Sequence, residues 1–126
     1  VDEFKQVIKI DPNNAIAYQW LGEAYLKLGQ NQNAMEAYEQ AIKLEPYNPI
    51  SHNGLAITYL TLGQYQKAIE EFKQTIKLEP HNANAHFGLG MTYLFMGDKS
   101  SALEEYNILK NIDEVLANAL FGRIYP

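Results

Sequence analysis

The sequence predicts an all-α solenoid of antiparallel helix pairs, and three observations predict it. The first is an internal period. Gly29, Gly63 and Gly97 are 34 residues apart, and so are Pro12, Pro46 and Pro80, Leu21, Leu55 and Leu89, Tyr25, Tyr59 and Tyr93, and Ala34, Ala68 and Ala102. Self-similarity at 20–50 residues marks a stack of repeated units. The second is apolar spacing by three and four within each unit, the pattern of a helix that buries one stripe. The third is punctuation: Gly and Pro stand at fixed offsets, where helices stop.

Two further columns, Phe4, Tyr38, Phe72, Tyr106 and Ile10, Leu44, Leu78, Ile112, occur four times, so the second half of the unit is present four times and the first half three times. Residues 1–14 therefore read as the second helix of a truncated unit. Residues 15–48, 49–82 and 83–112 read as three full units, and 113–126 as a capping helix.

In the first full unit Tyr18, Leu21, Gly22, Tyr25 and Leu28 form the stripe of the first helix, which should stop at Gly29 because glycine takes the left-handed conformation that lets the last carbonyls be satisfied. Ala34, Tyr38, Ala41, Ile42 and Leu44 form the stripe of the second, which ends before Pro46. Asn14, Asn48 and Asn82 stand where a short side-chain acceptor satisfies a free N–H of the next helix, and Pro49 adds a proline at a first helical position. Gly22, Ala56 and Gly90 form one small column and Ala34, Ala68 and Ala102 another, which lets paired helices approach closely. At the C-terminus Glu114 replaces the proline of its column, so the array should end there. Asp113 would cap a final helix whose Val115, Leu116, Ala119, Leu120 and Ile124 cover the last unit. At the other end Phe4, Val7 and Ile8 lack a partner helix, which predicts an upstream unit or self-association.

This pattern resembles the tetratricopeptide repeat, a 34-residue helix–turn–helix with a large-x₂-Leu-Gly-x₂-Tyr, Ala, aromatic, Ala, Pro signature. Ala15–Asn48 fits best, with Tyr18, Leu21, Gly22, Tyr25, Ala34, Tyr38, Ala41 and Pro46; the second unit departs at Ala56 and Thr75. The resemblance spans essentially the whole chain. It implies a right-handed superhelix with first helices on the concave side and second helices on the convex side. It further implies a protein-interaction module rather than an enzyme.

The face of the first helix opposite the buried stripe should then line the groove. It carries Ile16, Gln19, Trp20, Glu23, Leu26 and Lys27 in the first unit. The second supplies Ile50, Asn53, Gly54, Ile57, Leu60 and Thr61, and the third Asn84, Phe87, Gly88, Met91, Leu94 and Phe95. Ten of these eighteen are apolar even without the glycines, whereas a face that meets only water should be polar. Contiguous exposed apolar surface usually marks an interaction site. The expectation is a groove for a partner's apolar or amphipathic segment, in which Gly54 and Gly88 leave a shelf without side chains beside Trp20. Leu26, Leu60 and Leu94 have the competing reading of inter-repeat core. The family's clamp for carboxylate tails needs Lys and Asn where this chain has Gln19 and Glu23. Its asparagine ladder would occupy the column of Trp20, Gly54 and Gly88. Both are absent.

Composition narrows the function further. Among 126 residues there are 10 Lys and Arg against 15 Asp and Glu, a formal net charge of −5, and no cysteine. Disulfides and thiol chemistry are excluded. The acidic balance opposes a nucleic-acid footprint, which needs a surplus of basic residues. No apolar run approaches ~20 residues, and Val1-Asp2-Glu3-Phe4 lacks the pattern of a secretory leader, so no membrane partner is expected.

Chemistry has little to start from. Ser51, Ser100 and Ser101 stand in no nucleophile motif. His52 and His86 share the column of Tyr18 and read as packing groups, since neither has a carboxylate at ligand spacing. Gly88-Leu89-Gly90 sits inside a helix with no preceding strand and is no dinucleotide fingerprint. Glu36, Glu39, Lys43, Glu70, Glu71, Lys73, Lys77, Glu104 and Glu105 read as a solvated convex face, with Glu39–Lys43 in the favourable i,i+4 order. No catalytic residue, metal or cofactor is expected; the partner is a protein or peptide. The alternatives are a targeting arm of a larger multidomain enzyme and a scaffold that forms a homo-oligomer through the open N-terminal helix.

Overall fold

The computed structural model describes all 126 residues and contains helices only: α1 (Asp2–Ile10), α2 (Ala15–Lys27), α3 (Asn31–Leu44), α4 (Pro49–Thr61), α5 (Tyr65–Leu78), α6 (Ala83–Phe95), α7 (Lys99–Leu109) and α8 (Glu114–Ile124). None is long and apolar enough to cross a membrane. The boundaries follow from local chemistry. Asn14 and Asn82 accept from the N–H groups of Ala17 and Ala85, both at 3.0 Å, and Asn48 accepts from Ile50 ahead of Pro49. Gly29, Gly63 and Gly97 have φ of 75°, 76° and 81°. Beyond Gly29, the Gln30 N–H reaches back to the Tyr25 carbonyl while the Gly29 N–H donates to Leu26, which satisfies the helix end reciprocally.

The pairs α2/α3, α4/α5 and α6/α7 pack as hairpins, and each hairpin stacks on the next through α3/α4 and α5/α6. First helices also touch one another, α2 with α4 and α4 with α6, whereas α3, α5 and α7 make no such mutual contact. That asymmetry curves the stack and puts α2, α4 and α6 on its inner side. Ala34, Ala56, Ala68 and Ala102 are fully buried between packed helices. Thr75, in the second unit's departure from alanine, is also fully buried, and its hydroxyl donates to the Glu71 carbonyl.

The C-terminal turn differs from the others. α7 is 11 residues against 14 for α3 and α5, so α8 begins three residues early in the repeat. Asp113 caps it as expected, accepting from the Leu116 N–H. The register shift corrects the expected cap face: Ala117, Leu120 and Ile124 are buried against the third unit and Leu116 partly so, while Val115 and Ala119 face solvent.

The convex face is also less simple than its charges imply. Glu71 Oε2 lies 2.6 Å from His52 Nδ1 and Glu105 Oε1 lies 2.7 Å from His86 Nδ1; Glu105 is buried. The second ring nitrogens meet the carbonyls of Pro46 and Pro80 at 2.7 and 2.8 Å. Both histidines thus bind a carboxylate from the second helix of their own unit and the turn before it, where packing alone was expected. The Glu39–Lys43 pair does not form. Glu39 instead accepts from the Tyr59 hydroxyl at 3.2 Å, and burial together with Glu39 pushes that phenol up to about 12.

Candidate functional site

The inner face is built from three copies of one helix surface, and their side chains make it uneven. In the first unit Glu23 and Lys27 form an exposed i,i+4 ion pair at 3.2 Å. Trp20 is half exposed and its ring packs on Phe4, with centroids 5.9 Å apart. Gln19 does not line the groove: it is buried, and its Oε1 accepts from Asn48 Nδ2 at 2.8 Å, tying α2 to the next turn. Ile16 stays exposed.

Gly54 is a second correction, because the space above it is filled. A Cβ there would stand 2.4 Å from Tyr38 Cζ, and one at Gly88 would stand 2.4 Å from Phe72 Cζ. These glycines let an aromatic ring of the preceding second helix lie directly on the first-helix backbone. The side-chain-free shelf is therefore occupied by rings belonging to the chain itself. Buried Thr58 and Thr92 close the same turns by donating to the Gly54 and Gly88 carbonyls.

Between α4 and α6 the face opens. A pocket of about 410 Å³ is lined by Asn53, Ile57, Leu60, Phe72, Asn84, Phe87, Gly88, Met91 and Phe95. None of these is ionisable. Ile57 is 37% exposed, Phe95 more so, and Phe87 and Met91 are partly buried, so none of the four is sealed beneath a neighbouring helix. Phe95 stacks at 6.0 Å on Tyr65, which steadies the rim. Ile50 and Thr61 remain exposed at the ends of α4, the Thr61 hydroxyl turned back to the Ile57 carbonyl. Leu26, Leu60 and Leu94 are partly buried against the core clusters, so their column serves core and groove together.

Phe72 is the lining residue that the inner-helix pattern omits. It comes from α5 and is fully buried in its ring, reaching the pocket only because Gly88 has no side chain. The signal for it was present in the aromatic column and its glycine neighbour. Likewise the His52–Glu71 and His86–Glu105 separations are both 19 residues, a recurrence that could have revealed both pairs. No group of three or more His, Cys, Asp or Glu lies together in a way that could hold a metal ion.

Comparison with known proteins agrees with this architecture. Family models described as TPR repeat match residues 22–63 and 59–97, and models described as tetratricopeptide repeat match 3–36 and 83–114. A crystal structure of MamA superposes with a TM-score of 0.90 at 27% identity, covering 97% of this chain and 72% of that one. The TPR domain of Arabidopsis OM64 gives 0.83 at 20% identity over 87% and 93%. The first TPR of Spaghetti (RPAP3), bound to the HSP90 peptide SRMEEVD, gives 0.83 at 20% over 90% and 92%. Among curated proteins no significant match was found.

Proposed function

The chain belongs to the tetratricopeptide repeat family, and from that premise we propose that it is a non-catalytic interaction module whose inner face receives a protein or peptide segment. The observation that carries this reading is the open, uncharged pocket between α4 and α6, about 410 Å³ and lined mainly by apolar side chains. Its volume falls within the ~300–1,000 Å³ of ordinary ligand sites. Aromatic residues and Met, here Phe87, Phe95 and Met91, are enriched at interaction surfaces because they bury much area at modest ordering cost. The groove of this reading comprises Ile16, Trp20, Glu23 and Lys27 at one end and Ile50, Asn53, Ile57, Thr61, Asn84, Phe87, Gly88, Met91 and Phe95 around the pocket.

The HSP90 peptide SRMEEVD seen on the Spaghetti domain, with its three acidic residues, is a poor model for the occupant. The inner face of α4 and α6 carries no Lys or Arg to meet carboxylates. An uncharged anchor fits instead, since burying an unpaired charge is far costlier than burying a hydrocarbon.

Phe87→Glu tests the reading. A negative charge at the pocket wall should weaken partner capture at least tenfold in a pull-down or interferometry measurement, while helicity and melting temperature stay close to wild type. Equal loss of fold and binding would show that Phe87 acts as core.

One observation favours a second reading, self-association through α1: Val7 and Ile10 are exposed there, Ile10 at 84%. Sedimentation over a range of concentrations distinguishes it, because a monomer at all concentrations removes it.

A further inference from the structure

We propose that the His52–Glu71 and His86–Glu105 pairs are proton-loaded latches that fix α4 and α6 on either side of the pocket, so that occupancy of the pocket falls as their shared protons leave at rising pH. This rests on the groove reading above and adds a control on it.

The starting observation is a hydrogen-bond count. In each pair both imidazole nitrogens lie 2.6 to 2.8 Å from an oxygen: Nδ1 meets a carboxyl group of the second helix, and Nε2 meets a proline carbonyl of the preceding turn. A carbonyl only accepts, and so does an ionised carboxylate, whereas a neutral imidazole has a single N–H to give. Satisfying both contacts takes one proton more than a neutral imidazole and a carboxylate hold between them. That proton sits on the ring as imidazolium, or on the carboxyl group as an acid that donates to Nδ1; the total is the same. When it leaves, one of the two contacts sets lone pair against lone pair. In the third unit this happens between side chains only 5% and 11% exposed, where little water can replace the lost partner.

The repeat shows that the two residues work together. The first unit has Tyr18 in the histidine column and Ala37 in the glutamate column, so both partners are present in the second and third units and both are missing from the first. The latches thus occur only in the two units whose inner helices enclose the pocket. Each is also joined to its wall through the chain, because His52, Glu71 and His86 immediately precede the lining residues Asn53, Phe72 and Phe87. Loss of the proline contact frees α4 or α6 from the turn before it, and loss of the carboxyl contact separates first helix from second. Either displaces a lining side chain.

Other titratable groups around the pairs are few. Glu70 and Glu71 of α5 face Tyr59 of α4, whose hydroxyl donates to Glu39 of α3. Glu45 and Glu79 precede the two prolines, and Tyr47 and His81 follow them. His81 lines the cleft outside His86, while α8 meets the Gly90 and Glu105 region through the uncharged Leu120. The latched state holds more protons than the released one, so it is favoured at low pH and lost as pH rises.

The test is toluene binding to the whole chain, read by NMR at the Met91 methyl at about pH 6 and about pH 9, the span over which histidine pairs change charge. Tyr59 keeps its proton up to about 12 and does not interfere. Toluene has no titrating group, so any pH dependence belongs to the protein. Its affinity should fall roughly tenfold across the span, with the His52 and His86 ring-nitrogen signals changing in step. A fourfold variant copies the first unit at both pairs: His52→Tyr with Glu71→Ala, and His86→Tyr with Glu105→Ala. Its affinities at the two pH values should agree within twofold, whereas His81→Gln should keep the wild-type dependence. Equal wild-type affinity at both pH values overturns the inference. So does a dependence that survives in the fourfold variant or vanishes in His81→Gln. Ring-nitrogen signals of His52 and His86 that stay constant across the span overturn it whether or not that variant folds. Failure of toluene to move Met91 at either pH removes instead the groove reading, and the inference with it.

Discussion

The first and third units present the same helix surface to the inner side of the stack, yet one end of the groove is closed and charged and the other is open and apolar. At the column where the preceding aromatic meets the helix, Trp20 rises to pack on Phe4, whereas Gly88 lets Phe72 lie against the backbone and form the pocket floor. Three and seven positions further on, the ion pair of Glu23 and Lys27 is replaced by Met91 and Phe95. At the column of Gln19, which is tied to Asn48, the third unit has Phe87. Backbone geometry is held constant by the repeat, so the difference isolates what side chains do. A solenoid supplies the curved wall, and a handful of positions free from packing duty determine where along it something can dock.

The comparison breaks most severely at the pocket floor. Phe72 is fully buried, and Phe72→Ala should cost about 3–5 kcal/mol, the range for truncating a core aromatic. Trp20→Ala, at the half-exposed counterpart, should cost only about 1 kcal/mol. Chemical denaturation of both variants measures the gap.

Next is the close approach itself. Gly88→Ala forces a Cβ to within 2.4 Å of the Phe72 ring, and the shift needed to relieve it should cost about 1–3 kcal/mol. A melting temperature equal to wild type would show that the ring moves freely.

A smaller effect concerns binding alone: Met91→Glu should reduce affinity roughly tenfold, about 1.4 kcal/mol, while Trp20→Glu changes it less than twofold. The reverse order would move the docking site to the first unit.

The smallest effect separates the two ring-on-glycine contacts by pH. The Tyr38 hydroxyl is pushed up to about 12, chiefly by burial and then by the Glu23 charge. Because the folded state holds this proton more tightly than the unfolded chain does, its contribution is fully present below about pH 10 and is lost as pH rises through about 12. Phe72 has no proton to lose. Tyr38→Phe should therefore flatten the alkaline part of the stability curve between those values, which circular dichroism against pH would record. Tyr59, also raised to about 12, keeps the remainder of the slope.

Much of the inner face was legible from spacing, and the two misplaced residues share one cause. Helical angle alone predicts which side of α2 and α4 a residue occupies, and it places Gln19 and Gly54 facing the groove. Both lie at the edge of that face, where a neighbouring hairpin arrives; Gln19 is drawn under by Asn48 of the next hairpin and Gly54 is covered by Tyr38 of the preceding one. The inward turn of Glu71 and Glu105 has the same origin. Their histidines lie on the other helix of the hairpin, so a reading of one helix at a time assigns both acids to solvent.

The sequence by itself determined the period, the helix starts and stops, the small and aromatic columns and hence the family. Each of these depends on interactions within one or two turns of chain, through caps, left-handed glycines and apolar stripes. Tertiary structure alone decided that Phe72 forms the pocket floor, that Asn53 lacks the partner Gln19 has, and that α8 turns Ala117 inward and Ala119 out. Those outcomes depend on distances between groups in different hairpins, where a single methylene or one missing Cβ selects between a closed junction and an open one.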